Sequence, residues 1–269
     1  ARGDGGDFTV EGTGVEFGGP RADTLSLRAR GSQAQLALEA QARGEHGEVR
    51  LSGDIGRAGA TWTGVLSALQ FTPTVGPQLT LEDRAAFRVG TGVLQLDRSC
   101  LRAGDTAGRL CIAATGDRVT LDGDELPLAL AQPWLPTDEG VPLSLDGVVA
   151  LRAELQRGRD GAWRGDGEAT SPLGVLRLDP DSEREVFRYE ALRLGFTLAG
   201  EALQAELVAT LADDGRVSAR MSTGLAATAA LDGELQLDVR ELTFLELLSQ
   251  DLAAPRGRLQ GRLVLAGTR

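Results

Sequence analysis

LRLGFTLAGEALQAELVATL, residues 192–211, is the stretch on which the fold turns. Leu192, Leu194, Phe196 and Leu198 alternate with Arg193, Gly195 and Thr197. A turn containing Gly200 follows, and then Leu203, Ala205, Leu207, Ala209 and Leu211 alternate with Gln204, Glu206 and Thr210. Successive strand residues point to opposite faces of a sheet, so the segment reads as a β-hairpin with one apolar and one polar side.

The same pattern fills most of the chain. TLSLRAR (24–30), AQLALEAQA (34–42), EVRLSGDI (48–55), GVLQLDRSCL (92–101), VPLSLDGVVALRAEL (141–155) and ELQLDVREL (234–242) all alternate. Turn signals recur roughly every 8–12 residues, the spacing of an all-β architecture. About 15 strands at ~4.8 Å spacing would make a sheet ~70 Å long. The 269 residues are 42% hydrophobic and 25% charged, which excludes a disordered chain. The 36 Gly suit many tight turns, while 4% aromatics is low for the core of a compact sandwich.

Residues 1–24 are Gly/Asp-rich and read as an irregular segment, with 25–269 as one elongated, repeat-built β domain. Two stretches break the alternation. DELPLALAQPWLP (124–136) is interrupted by Pro127, Pro133 and Pro136, so it holds at most a helical turn. In RELTFLELLSQDLAAP (240–255), Leu242, Leu245, Leu248 and Leu252 recur at helical spacing, predicting a short helix over about 240–252. Both stretches start Glu-Leu, reach a Pro and lead into a strand with Gly amid alternating Leu. GATWTG (59–64) echoes GAWRG (161–165), and LDG occurs at 121, 145 and 231. Such echoes suggest a repeat architecture, in which stacked units bury their apolar faces on their neighbours.

The net charge of −11 makes a nucleic-acid backbone or an anionic membrane surface a poor partner. No run approaches the ~18–20 apolar residues of a membrane helix. The chain starts at Ala1 rather than Met and ends at LVLAGTR with no tail, and so reads as a fragment, with any anchor or export signal expected outside it. His46 is the single histidine and lies in a polar, turn-like setting. Zinc-ligand spacings and phosphate-binding loops are absent; Asp179, Asp181, Glu183 and Glu185 leave calcium binding or a glycosidase pair open, with a solvated loop the favoured reading. The expectation is therefore a protein that is no enzyme and holds no metal or cofactor. Trp62, Trp134 and Trp163 are too scattered for a stacking platform and are read as closing turns or capping sheet ends. Cys100 and Cys111 flank the turn-like AGDTAG, which puts them on adjacent strands. A hairpin disulfide in an oxidising compartment and two small buried thiols both remain open, with the spacing favouring the disulfide.

The apolar face is the remaining feature. Fully burying a Leu stabilises by ~1.5–3 kcal/mol, so these side chains must pack on one another or on a ligand. A closed core and an open channel are the two alternatives. The plain aliphatic lining suits acyl chains. Grouped by parity, the lining set is Leu145, Val149, Leu151, Leu155, Leu194, Phe196, Leu198, Leu207, Leu235, Leu237, Leu263 and Leu265.

SCL…RLCIAAT, then DELPLALAQPWLP, LSLDGVVALRAEL and GAWRGDGEA together resemble the TamB family of the translocation and assembly module. The end, LTFLELLSQDLAAPRGRLQGRLVLAGT, resembles that family's recurring helix-then-G-x-L-x-G element. The resemblance spans roughly residues 50–269. It implies an elongated curved sheet folded into an open hydrophobic trough, a β-taco, with one or two short helices. It implies a periplasmic segment of a Gram-negative protein tethered to the inner membrane. The implied partners are phospholipid acyl chains and, through regions outside this fragment, an Omp85-type outer-membrane assembly protein. The implied role is lipid transport between the membranes in support of outer-membrane protein and autotransporter assembly. A chaperone that binds the strands of outer-membrane clients and a structural spacer are the competing readings.

Overall fold

The computed structural model describes residues 5–16, 21–32, 34–134, 144–177, 185–211, 215–226, 228–242 and 256–268. Among them, eighteen strands form an antiparallel sheet, and the only helix is a 3-10 helix, Leu128–Trp134. The expected all-β fold is thus present. The chain divides into two compact units, residues 1–121 and 122–269.

The first unit begins as a meander of β1 (Gly6–Glu16), β2 (Arg21–Ser32), β3 (Gln35–Gly44), β4 (Gly47–Ala58) and β5 (Thr61–Pro73). Two short strands, β6 (Leu79–Leu81) and β7 (Ala85–Gly90), then lie one after the other between β5 and β8 (Val93–Ala103). β9 (Arg109–Thr115) follows, and β10 (Arg118–Pro127) carries the chain into the second unit. The Gly/Asp-rich start corrects one expectation. It is read above as irregular, yet Gly6–Glu16 pairs along its length with β2, setting Phe8 opposite Ala29 and Val10 opposite Leu27. Backbone pairing with a strong neighbour overrides weak strand propensity.

In the second unit β12 (Trp163–Ser171) and β13 (Gly174–Arg177) both lie between β11 (Ser144–Arg157) and β14 (Glu185–Ala199). β15 (Ala202–Leu211), β16 (Arg216–Gly224), β17 (Ala230–Glu241) and β18 (Arg256–Thr268) continue as a meander. The helix expected over 240–252 is corrected at its start, because Arg240 and Glu241 end strand β17. Its remainder, from residue 243, lies outside the described residues.

Bulges keep the faces pure. In β14, Tyr189 opposes Leu211 and Leu192 opposes Ala209, with a register shift between Tyr189 and Ala191. The extra residue lets Tyr189 and Leu192 share a face although their parities differ. A shift between Ser52 and Gly53 does the same for Leu69 and Leu66 of β5.

Small residues seat large ones on this face. A Cβ at Gly64 would lie 2.6 Å from the ring of its cross-strand partner Phe87. One at Gly167 would lie 2.3 Å from Phe196, and one at Gly174 2.3 Å from Tyr189, again direct partners. Two glycines of the LDG triplets also lie close under leucines, Gly123 under Leu151 and Gly147 under Leu128, whereas Gly233 is only in ordinary contact with Leu265.

Burial is limited. The chain leaves 17064 Å² accessible. A compact monomer of 28.2 kDa exposes about 11,000 Å². The second unit's buried cluster is Tyr189, Ala209, Leu211 and Val239, with Leu128, Phe187, Leu192, Val217 and Leu237 packed against it.

Candidate functional site

Directly opposed residues of antiparallel strands share a face. One row can therefore be followed across the second unit: Leu151, Ala169, Leu194, Leu207, Ala219, Leu235, Leu263. The next row is Ala153, Gly167, Phe196, Ala205, Met221, Gly233, Leu265. A third runs Leu155, Gly165, Leu198, Leu203, Thr223, Leu231, Gly267. On the other side of the first row lie Leu192, Ala209, Val217 and Leu237. Val149 and Leu145 extend the face along β11, where Leu145 opposes Leu176. All twelve residues grouped by parity thus lie on one face of one unit.

Exposure along this face is graded. At one end Tyr189, Leu211 and Val239 are 5%, 4% and 3% exposed, and Leu128 of the 3-10 helix packs on them. The Tyr189 hydroxyl is 2.7 Å from Ser171 Oγ, which also lies 2.6 Å from the carbonyl of Val148. Burial raises the phenol's pKa, and the bond to Ser171 opposes that shift. Away from this end the same kinds of side chain are open. Leu194 is 37% exposed, Leu265 45% and Leu263 51%.

The opposite face is ionic. Its central row reads Arg152, Glu168, Gly195, Glu206, Arg220, Glu234, Val264. Arg193 Nε lies 2.8 Å from Glu168, Arg220 Nη2 3.0 Å from Glu206, and Arg262 Nε 2.8 Å from Glu234. Asp238 accepts from Arg258 Nη2 at 2.7 Å and from Gln260 at 3.0 Å, and these partners hold its pKa down at about 2. Glu234 is lowered by the Gln236 amide and then by Arg262. Two clefts of about 790 and 740 Å³ lie between the long side chains of this face. Glu206, Arg220 and Glu234 line both, beside apolar side chains such as Leu237 in one and Phe196 and Met221 in the other.

The first unit has an apolar face as well, and parity grouping did not carry the lining set that far. Leu27, Ala40, Leu51 and Leu69 form one row across β2 to β5, and Ala29, Leu38, Gly53 and Leu66 form the next. The switch from odd to even positions at the β5 bulge masks this in the sequence. Cys100 and Cys111 are direct partners in β8 and β9 and form a disulfide, which decides between the two readings left open above. Beside it, Glu82 bridges Arg102 (2.9 Å) and Arg109 (2.6 Å). Burial favours its protonated form, but the two guanidinium groups outweigh that and lower its pKa. His46 sits in the β3–β4 turn. Trp62 and Trp163 open β5 and β12 next to hairpin turns.

A family model described as TamB, N-terminal domain, matches residues 4–269. No curated protein and no solved structure matches the chain.

Proposed function

This chain belongs to the TamB family, and from that premise we propose that its apolar face shields lipid acyl chains passing between the inner and outer membranes. The family is envelope-associated and is involved in outer-membrane protein assembly and lipid transport. The observation that carries the proposal is the unbroken row from Leu151 to Leu263, apolar across seven strands and left half-open. Extended exposed apolar surface of this kind marks a binding surface.

In this reading the protein is a passive, non-enzymatic periplasmic conduit tethered to the inner membrane, and its sheet is curved into a trough around the apolar face. An acyl chain leaving water gains about 0.8 kcal/mol per CH₂, hence ~12 kcal/mol for sixteen carbons. That gain opposes escape through water. A lining of nearly uniform Leu and Ala lets the chain slide from row to row without losing it. The ionic face keeps the outside wetted. Outer-membrane assembly partners would meet other regions of the protein.

The test is Leu207→Arg, which places a cation in the middle of the central row between Leu194 and Ala219. After detergent-free purification, native mass spectrometry and lipid extraction are expected to find phospholipid on the unaltered chain and little on the variant. Equal lipid on both, with the fold intact by circular dichroism, would overturn the proposal.

A further inference from the structure

We propose that each unit carries a seat for the phosphate headgroup of an acyl lipid at one end of its apolar face, built from an Arg–Trp cross-strand pair. The pairs are Arg57 with Trp62 and Arg157 with Trp163. This inference rests on the acyl-chain reading above and adds to it the polar end of the ligand.

The two seats are built alike. On β4 the apolar face runs Val49, Leu51, Gly53, Ile55 and ends at Arg57. On β11 it runs Leu151, Ala153, Leu155 and ends at Arg157. In each case a Trp within the first two residues of the next strand lies directly opposite. In each case the Arg Nε donates to a glycine carbonyl of the hairpin turn: Gly59 at 2.9 Å, Gly161 at 3.0 Å. The Arg57 guanidinium stands over the Trp62 ring, 5.6 Å from its centroid. Turns of different length, Gly59–Ala60 and residues 158–162, thus share the cross-strand Arg–Trp pair and the Arg Nε bond to a turn glycine carbonyl.

Position and charge together mark these arginines, because they end rows of the apolar face. On the polar face Arg193, Arg220, Arg258 and Arg262 are each neutralised by a carboxylate. Among the described residues no carboxylate pairs with Arg57 or Arg157. With Nε tied to the turn, the terminal amines form a fork held at the edge of apolar surface. That fork matches two oxygens of a phosphate, and the indole suits the boundary between hydrocarbon and water. An acyl chain lying on the Leu rows would bring an anionic headgroup to it.

The test compares two ligands with the same chain on the 269-residue protein: monolauroyl glycerol and its phosphate ester, lysophosphatidic acid, both below micelle concentration. Equilibrium dialysis reads the affinities. The net charge of −11 alone would favour the neutral ligand. The expected result is about tenfold tighter binding of the phosphate ester. R57Q/R157Q should lose that preference with its affinity for monolauroyl glycerol unchanged, while R57K/R157K, retaining the charge, should keep part of it. Inorganic phosphate alone should not bind detectably. Three results would overturn the seat and leave the acyl groove standing: no preference in the unaltered chain, a preference surviving R57Q/R157Q, or inorganic phosphate competing as well as the ester. Binding of neither ligand would overturn both.

Discussion

The two ends of the second unit's apolar face are made of the same strands and similar side chains, yet they differ in fate. Near Tyr189, Leu211 and Val239 the face is closed, because Leu128 of the 3-10 helix and the Phe187 ring pack onto it. Near Leu194, Leu263 and Leu265 the sheet is as regular, but those side chains remain open. The difference teaches that alternation makes a face, while burial depends on what arrives to cover it. The closed end is packed into the fold, and the open end leaves apolar surface uncovered.

The largest expected effect breaks the closed end. Tyr189→Ala removes a ring seated on Gly174 and a buried hydroxyl bond, and should cost about 3–5 kcal/mol in urea unfolding. Leu265→Ala at the open end should cost under about 1 kcal/mol. Equal losses at both sites would erase the distinction. Next comes the staple of the first unit. Cys100→Ser with Cys111→Ser opens a loop with a sequence separation of 11 and should lower stability by about 2–3 kcal/mol, read in the same assay. Gly167→Val must displace the Phe196 ring from the open half of the face. It should cost about 1–3 kcal/mol and lower lipid binding, measured by unfolding and by lipid extraction.

The smallest effect belongs to the ionic face. The pKa of Asp238 is depressed, so any stability it contributes is present above the ordinary carboxylate value of 3.8 and is lost as pH falls towards about 2. The pair is solvent-exposed, so an NMR titration should place the midpoint near about 2 with no measurable change in melting between pH 7 and pH 4. A midpoint near 3.8 would show that the ion pair does not form in solution.

Much of the candidate site was legible because period-two alternation states directly which residues share a face. Leu194, Phe196, Leu198 and Leu207 could be grouped without any coordinates, and cross-strand register then joined them to Leu151, Leu235 and Leu263. The disulfide was legible from its turn-like spacer. The apolar face of the first unit was only partly so, since a bulge shifts parity inside β5 and nothing in the local pattern LSALQ (66–70) marks where one extra residue enters. The Arg57 and Arg157 seats were visible only as an echo, GATWTG against GAWRG. Their chemistry depends on an arginine that precedes each echo and meets its Trp across the hairpin.

Taken alone, the amino-acid order determined an antiparallel all-β chain with one apolar and one ionic face, because side-chain direction alternates whatever the strand pairs with. It determined the acidic balance, a net charge of −11, as well. Only the tertiary structure decided which alternating strands are neighbours, where bulges restore parity, which glycines receive an aromatic ring, and which end of the face is covered. Those outcomes depend on register and on contacts between residues far apart in the chain, and no local pattern encodes them.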